Sequence, residues 1–306
     1  MIYTVTINPS LDFFSILDDL QRGRINYSNE DKMTAGGRAI NVSRVLRNLG
    51  LPTLATGFVG GRTGAFIEDE LDRSDIPHDF VHVEGNTRIN LNLFVNHMET
   101  RILGKGKPIS INKVNELMYY IARVREGDFV ILGGSIPPGV SDSIYDRMIE
   151  ICVVNGADFI PILSGPLLKR TLSRAPILIA PSLDELDAMF DTRLTELSEA
   201  IPLAFSCIDA GVKNVIVTNG HLGSLLVTSN RKVYTVGGPK DAIISRTSTK
   251  VSLIAGFVGS FMRTHDPVES FHLAQAASNA AYLVKGIPTR EEMEREKEKI
   301  EVLPFA

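Results

Sequence analysis

The sequence predicts an α/β protein: a parallel sheet covered by helices on both faces, in a three-layer α/β/α arrangement, with a small β-sheet lid. Two observations carry that prediction. From about residue 108 onward, short apolar runs alternate with amphipathic helical patterns, as strands buried on both faces require. Two separate stretches instead alternate apolar and polar residues one by one, as in Asn90-Leu91-Asn92-Leu93-Phe94-Val95-Asn96. That is the pattern of an antiparallel sheet with one open face. The resulting division is an α/β domain of residues 1–10, 36–80 and 104–306 and a β lid of residues 11–35 and 81–103. A lid of this kind leaves an apolar face bare, so it should cover the active site or a second copy of itself.

The elements follow in order. The first residues read as a strand from Ile2, and residues 39–73 as a helix, a strand at 53–57 and a second helix. Strands are expected at 128–132, 158–163, 176–179 and 214–218, and a hairpin at 224–228 with 232–236. Helices are expected at 141–155, 166–173, 183–190, 196–210, 251–262, 268–283 and 291–300. The run Ala242-Ile243-Ile244 looks like one more strand. It passes through Ser245-Arg246-Thr247-Ser248-Thr249-Lys250 into an apolar helix, with no glycine and no carboxylate on the way. A strand-to-helix turn is a natural phosphate site, because free N–H groups point out of a helix start. Hydroxyls and two cations are an unusual way to build one.

The 306 residues are 44% hydrophobic and 22% charged, an ordinary composition for a globular chain. A formal net charge of −4 gives no long-range attraction for nucleic acid or an anionic membrane. Cys152 and Cys207 sit in apolar helical patterns and read as buried free thiols. The first residues lack a basic-then-apolar leader, and no run approaches the ~18 apolar residues of a membrane span, so a cytoplasmic location is expected. The charged EEMEREKEKIE near the end is a solvated helix face.

Generic motif searches find little. There is no GxxxxGK[ST] phosphate loop, and GFVGGRTGAF spaces its glycines wrongly for a dinucleotide fingerprint. His78 and His82 lie four apart in a strand-like context, which does not join them as a helix would, and no metal site is assigned. His265 and Asp266 lie in a helix–helix loop with no serine tied to them. Thr34-Ala35-Gly36-Gly37-Arg38-Ala39-Ile40-Asn41-Val42-Ser43 carries more. Two glycines abut an amphipathic helix, either as a tight turn with a helix start or as a close backbone approach to a polar ligand reached by Arg38 and Asn41. Gly133-Gly134-Ser135-Ile136-Pro137-Pro138-Gly139 and Thr218-Asn219-Gly220-His221-Leu222-Gly223 share that ambiguity. Three such loops at the carboxyl ends of strands favour a ligand site, because open α/β sheets bind there.

In their order these segments resemble the ribokinase/PfkB family of sugar kinases, in particular its 1-phosphofructokinase and tagatose-6-phosphate kinase branch. MIYTVTINPSLD is similar to that branch's opening, TAGGRAINVSRVLRNLG to its GGKGxNVxRxL signature, and GGSIPPG to its SGSxPPG; GFVGGRTGAFI and TRINL fall between them. The resemblance covers essentially the whole chain. It implies a ribokinase-like α/β domain with a lid, a phosphosugar held between them, ATP with Mg at the strand ends, and a homodimer through the lid. The substrate-binding residues it implies are Asp12, Gly36, Gly37, Arg38, Asn41, Arg88, Asn90 and Ser135, with Arg38 where the family has lysine and Ala39 where it has glycine. On the nucleotide side it implies Glu185, Thr218, Gly220 and Gly223.

The departures cluster at the catalytic end. Where the family writes N-T-V-G-A-G-D-S, this chain writes Ser245 to Ser252, so Gly-Ala-Gly-Asp becomes Ser248-Thr249-Lys250-Val251. The family's aspartate is the general base and its glycines form an anion hole, and Val251 cannot accept a proton. KPNxxE becomes Ala180-Pro181-Ser182-Leu183-Asp184-Glu185, and DxSG becomes Pro161-Ile162-Leu163-Ser164-Gly165. No catalytic residue is therefore assigned. The sequence leaves open a kinase with rearranged chemistry, in which Lys250 neutralises phosphoryl charge; a phosphosugar-binding sensor or partner, with Arg246 and Lys250 paired to phosphate; or another reaction on the same fold.

Overall fold

The computed structural model describes residues 1–96, 98–244 and 248–305. The chain begins with β1 (Ile2–Thr6), β2 (Ser10–Leu17), β3 (Glu30–Gly36), α1 (Arg38–Asn48), β4 (Thr53–Val59), α2 (Gly61–Arg73) and β5 (Val81–His82). Next come β6 (Arg88–Val95), β7 (Met98–Leu103), α3 (Ile111–Ile121), β8 (Phe129–Gly133), α4 (Ile144–Val154) and β9 (Asp158–Ile162). They are followed by α5 (Gly165–Thr171), α6 (Leu183–Phe190), α7 (Ile201–Asp209), β10 (Asn214–Thr218), β11 (Gly223–Thr228) and β12 (Val233–Gly237). The chain closes with α8 (Thr249–Thr264), α9 (Pro267–Leu283), α10 (Arg290–Lys297) and β13 (Leu303–Pro304).

The central sheet runs in the order β5-β4-β1-β8-β9, all parallel. Its strands are largely apolar, with a few buried threonines, because each face feeds a different core. On β8, Val130 and Leu132 join the helices α3 to α7, while Phe129 and Ile131 join α1, α8 and α9. A third cluster seats α2 on β4 through Val59, Ile67 and Leu71. Cys152 and Cys207 are buried and free, and burial pushes both thiols up to about 12.

The expected strand at 176–179 does not form a full ladder. Pro176 and Pro181 have no N–H to donate, so the segment bridges neighbours singly: Ile177 to the Phe159 carbonyl at 3.1 Å, Ile179 to Asn214 at 3.1 Å, and Thr218 to the Pro181 carbonyl at 3.1 Å. It nevertheless joins β9 to the antiparallel sheet β10-β11-β12-β13. The strand-like run at 242–244 is not a strand either; the Ile244 N–H bonds to the Tyr282 carbonyl at the end of α9 (2.8 Å).

The remaining sheet is β3-β2-β6-β7, built from the two stretches of strict alternation. It is mixed rather than antiparallel, because β2 and β6 pair in parallel from Ser10↔Arg88 to Leu17↔Val95. Both strands run outward from the carboxyl end of the central sheet, and each returns by a hairpin as β3 or β7. Val81 and His82, grouped with the lid by their pattern, pair instead with Phe58 and Val59 of the central sheet. Among the described residues no helix is long and apolar enough to cross a membrane.

Candidate functional site

Strict alternation gives the small sheet two unlike faces. Directly opposed residues share a face, so Thr34, Asp12, Asn90 and Leu103 form one transverse row. Within it, Asp12 Oδ1 accepts from Ser10 Oγ (2.6 Å) and from Asn90 Nδ2 (2.7 Å), which leaves Oδ2 to face Gly36. Asn90 Oδ1 in turn accepts from the Gly104 N–H at 3.2 Å. Arg88 donates through Nε to the Asn8 carbonyl (3.1 Å) and through Nη1 to the Gly104 carbonyl (3.0 Å), bracing the roots of both hairpins. Burial lowers its pKa from the ordinary value and Asp12 opposes that shift; it remains a cation.

The two glycines answer the choice left open by their spacing with a close backbone approach, here to the protein's own groups. A Cβ at Gly36 would fall inside contact distance of the Asp12 carboxylate. Gly37 has φ +142, a region that disfavours side chains, and a Cβ there would lie 2.7 Å from Thr6 Cγ2. Thr6 Oγ1 can therefore accept from the Ile40 N–H in the first turn of α1 (3.1 Å). Asn41 lies on that turn, and Arg44 Nη1 reaches its Oδ1 at 3.5 Å. Arg38 donates to the Ile162 carbonyl at the end of β9 (3.2 Å).

Two residues absent from the sequence prediction hold this end together. Buried Asn8 donates through Nδ2 to Ser135 Oγ (3.1 Å) and the Lys105 carbonyl (3.3 Å), tying the loop after β1 to the loop after β8. Its only signal was an Asn-Pro turn directly after a strand. Tyr145 donates its hydroxyl to the Gly134 carbonyl (2.8 Å), and burial raises its pKa while Arg38 pulls the other way. Nothing in the pattern of α4 marked that tyrosine.

Among the residues that the resemblance assigned to a nucleotide, Glu185 forms a capping box with Ser182 at the start of α6: Ser182 N donates to Glu185 Oε2 (2.9 Å), and Glu185 N to Ser182 Oγ (3.2 Å). Lys250, in the first turn of α8, donates its ammonium to the same Oε2. Burial alone would raise the Glu185 pKa, but the Lys250 charge and hydrogen bond, the Ser182 N–H and the Arg38 charge together hold it below the ordinary value. Ser248 precedes α8 without capping it and donates instead to the Gly286 carbonyl. Thr249 opens the helix, and Val251 is buried as part of the apolar cluster that includes residues of β8, β9, α1, α8 and α9. Thr218 ends β10, Gly220 starts the 3-10 turn Gly220–Leu222, and Gly223 opens β11 against the Val236 carbonyl. Arg246, with Ser245 and Thr247, lies outside the described residues.

The histidines have separate tasks: His78 lies 3.7 Å from Asp72 and His82 2.9 Å from Glu68. Asp266 caps α9 by accepting from Val268 N at 2.8 Å. Among the described residues no group of three or more His, Cys, Asp or Glu is placed to hold a metal ion.

The chain as a whole has counterparts among known proteins. The profile of the "pfkB family carbohydrate kinase" matches residues 8–291. The chain is 34% identical to the 1-phosphofructokinase of Bacillus subtilis (strain 168) over 291 residues, 95% of each. It is 33% identical to the D-tagatose-1-phosphate kinase of Bacillus licheniformis over 305 residues, 99% of each. Its fold superposes on phosphofructokinase-2 from Escherichia coli in complex with fructose-6-phosphate with a TM-score of 0.91, covering 97% of this chain and 98% of that one at 24% identity. The chain belongs to the PfkB family of carbohydrate kinases.

Proposed function

We propose that this protein is a 1-phosphofructokinase-like member of its family that binds a ketohexose phosphate but transfers phosphoryl groups weakly or not at all. Asp12, Asn90 and Asn41 hold sugar hydroxyls, Gly36, Gly37 and Ser135 line the approach, and Arg38 meets the phosphate. Arg88 supports them from behind. ATP is the expected donor, beside Thr218, Gly220 and Gly223, and the protein works as a homodimer through the small sheet.

The observation that carries the reading is the start of α8. Its first turn contains no acidic residue, and Val251 points its bulk into an apolar cluster at 7% exposure. Asp241, the nearest upstream carboxylate in the sequence, is bound to Lys299 at 3.0 Å. Removing a general base typically costs ~10²–10⁴ in rate, and losing an anion-hole donor about 10²–10³. A second reading, a purely non-catalytic sensor or partner protein, draws support from Lys250, whose ammonium is already paired with Glu185.

The test is ADP formation from Mg-ATP with fructose 1-phosphate or tagatose 6-phosphate. The native protein is compared with a variant carrying Ser248→Gly, Thr249→Ala, Lys250→Gly and Val251→Asp. We expect the variant to exceed the native protein by at least about 10²-fold. Native turnover at the level of an ordinary kinase, ~1–100 s⁻¹, would overturn the proposal.

A further inference from the structure

The residues at the nucleotide end do not fit a divalent cation. The carboxylates there are Glu185 and its exposed neighbour Asp184. Glu185 Oε2 already accepts from the Lys250 ammonium and from the Ser182 N–H, and the Arg38 charge also acts on this carboxylate. A Mg²⁺ ion requires close to octahedral oxygen ligation. To use Oε2 it would have to displace a bonded ammonium, and anywhere on this carboxylate it would sit beside the Lys250 cation.

We infer that Lys250 takes the place of the divalent cation, so that phosphorylated ligands bind at this end without metal. The local charges favour this: the Lys250 ammonium already neutralises Glu185, so this carboxylate has little charge left to attract a second cation. An ammonium has three N–H donors, of which Glu185 occupies one, so Lys250 can hold its carboxylate and still donate to a phosphate oxygen. Its side chain is 32% exposed, enough for a ligand to reach the head. The Arg38 charge also acts on Glu185, so a phosphate held by Lys250 lies in the field of a second cation. Glu185 then fixes Lys250, as a second carboxylate would fix a metal ligand. The inference rests on the proposed phosphosugar site only in taking the ligands to be phosphorylated.

The experiment is calorimetric titration of the full chain with ADP, in EDTA and in excess Mg²⁺, with fructose 1-phosphate titrated separately. The native protein should bind ADP with affinities that agree within about twofold in the two conditions. Lys250→Ala should weaken binding in EDTA by about tenfold or more, and Mg²⁺ should restore part of it through the freed Glu185. Lys250→Arg, which keeps the charge, should stay close to the native protein in EDTA. Binding by the native protein that collapses in EDTA, or that survives Lys250→Ala unchanged in EDTA, overturns the inference. Fructose 1-phosphate binding without ADP binding overturns it and leaves the proposed function standing; failure of both ligands to bind ends both.

Discussion

Gly36 shows how much of the site depends on single side chains being absent. Its missing Cβ is what allows the Asp12 carboxylate to lie against the backbone between β3 and α1. Gly36→Ala would drive the Asp12 carboxylate out of the row it shares with Asn90, while the obstacle is only the end of a movable side chain. Fructose 1-phosphate affinity should therefore fall by at least about tenfold, equivalent to ~1.4 kcal/mol, with little change in the melting temperature. Calorimetry and a thermal melt on the same sample check both halves; a variant that binds normally would remove Asp12 from the site. Part of this geometry was legible in the sequence because short motifs fix it: Asp12, Asn90 and Gly36 meet, and Gly37 leads into the α1 turn that carries Asn41. Asn8 and Tyr145 were not, since each acts through one long-range hydrogen bond that leaves no local pattern. The pairing of Lys250 with Glu185 was equally hidden, because it joins residues 65 positions apart.

At the scale of elements, the return of β3 into α1 is held by a polar knot. Glu70 of α2 accepts from Thr34 Oγ1 (2.7 Å), from the Ala35 N–H (2.5 Å) and from Arg44 Nη2, and Arg44 Nη1 also donates to Thr34 (3.0 Å). Arg44 is 15% exposed and Glu70 22%, so the pair is shielded enough to matter. Glu70→Ala should destabilise the fold by about 1–3 kcal/mol, the usual cost of orphaning charged hydrogen-bond partners, and urea unfolding measures it. A loss under ~0.5 kcal/mol would class it with ordinary surface pairs. Helices and apolar strands were readable here, because period and length carry them. The strand at 176–179 was over-read, since apolar content does not register that Pro176 and Pro181 withhold donors. The parallel pairing of β2 with β6 was missed for another reason: alternation defines faces, and direction comes only from where each hairpin leaves the body.

For the whole molecule, the face of the small sheet opposite Asp12 sets the last expectation. Met33, Phe13, Leu91 and Ile102 lie in one transverse row across all four strands, with Ile89 beside them. Met33 is 50% exposed, Leu91 37%, Ile102 54% and Ile89 46%. A contiguous apolar row on an open sheet is unfavourable in water, and in the proposed homodimer a second copy of the same face would cover it with matching chemistry. Leu91 stands near the middle of the row, so Leu91→Glu would bury a carboxylate against apolar neighbours in each copy. Sedimentation velocity at micromolar concentration should show a dimer for the native chain and a monomer for Leu91→Glu. A native monomer at tens of micromolar would refute the pairing. The consequence reaches the site, because Leu91 and Asn90 are consecutive residues of β6 on opposite faces. Releasing one face removes the support behind the row that positions Asp12, so the monomeric variant should also bind fructose 1-phosphate more weakly. An unchanged affinity in a proven monomer would mean that the hairpin roots at Arg88 and Gly104 position Asp12 without help from a partner.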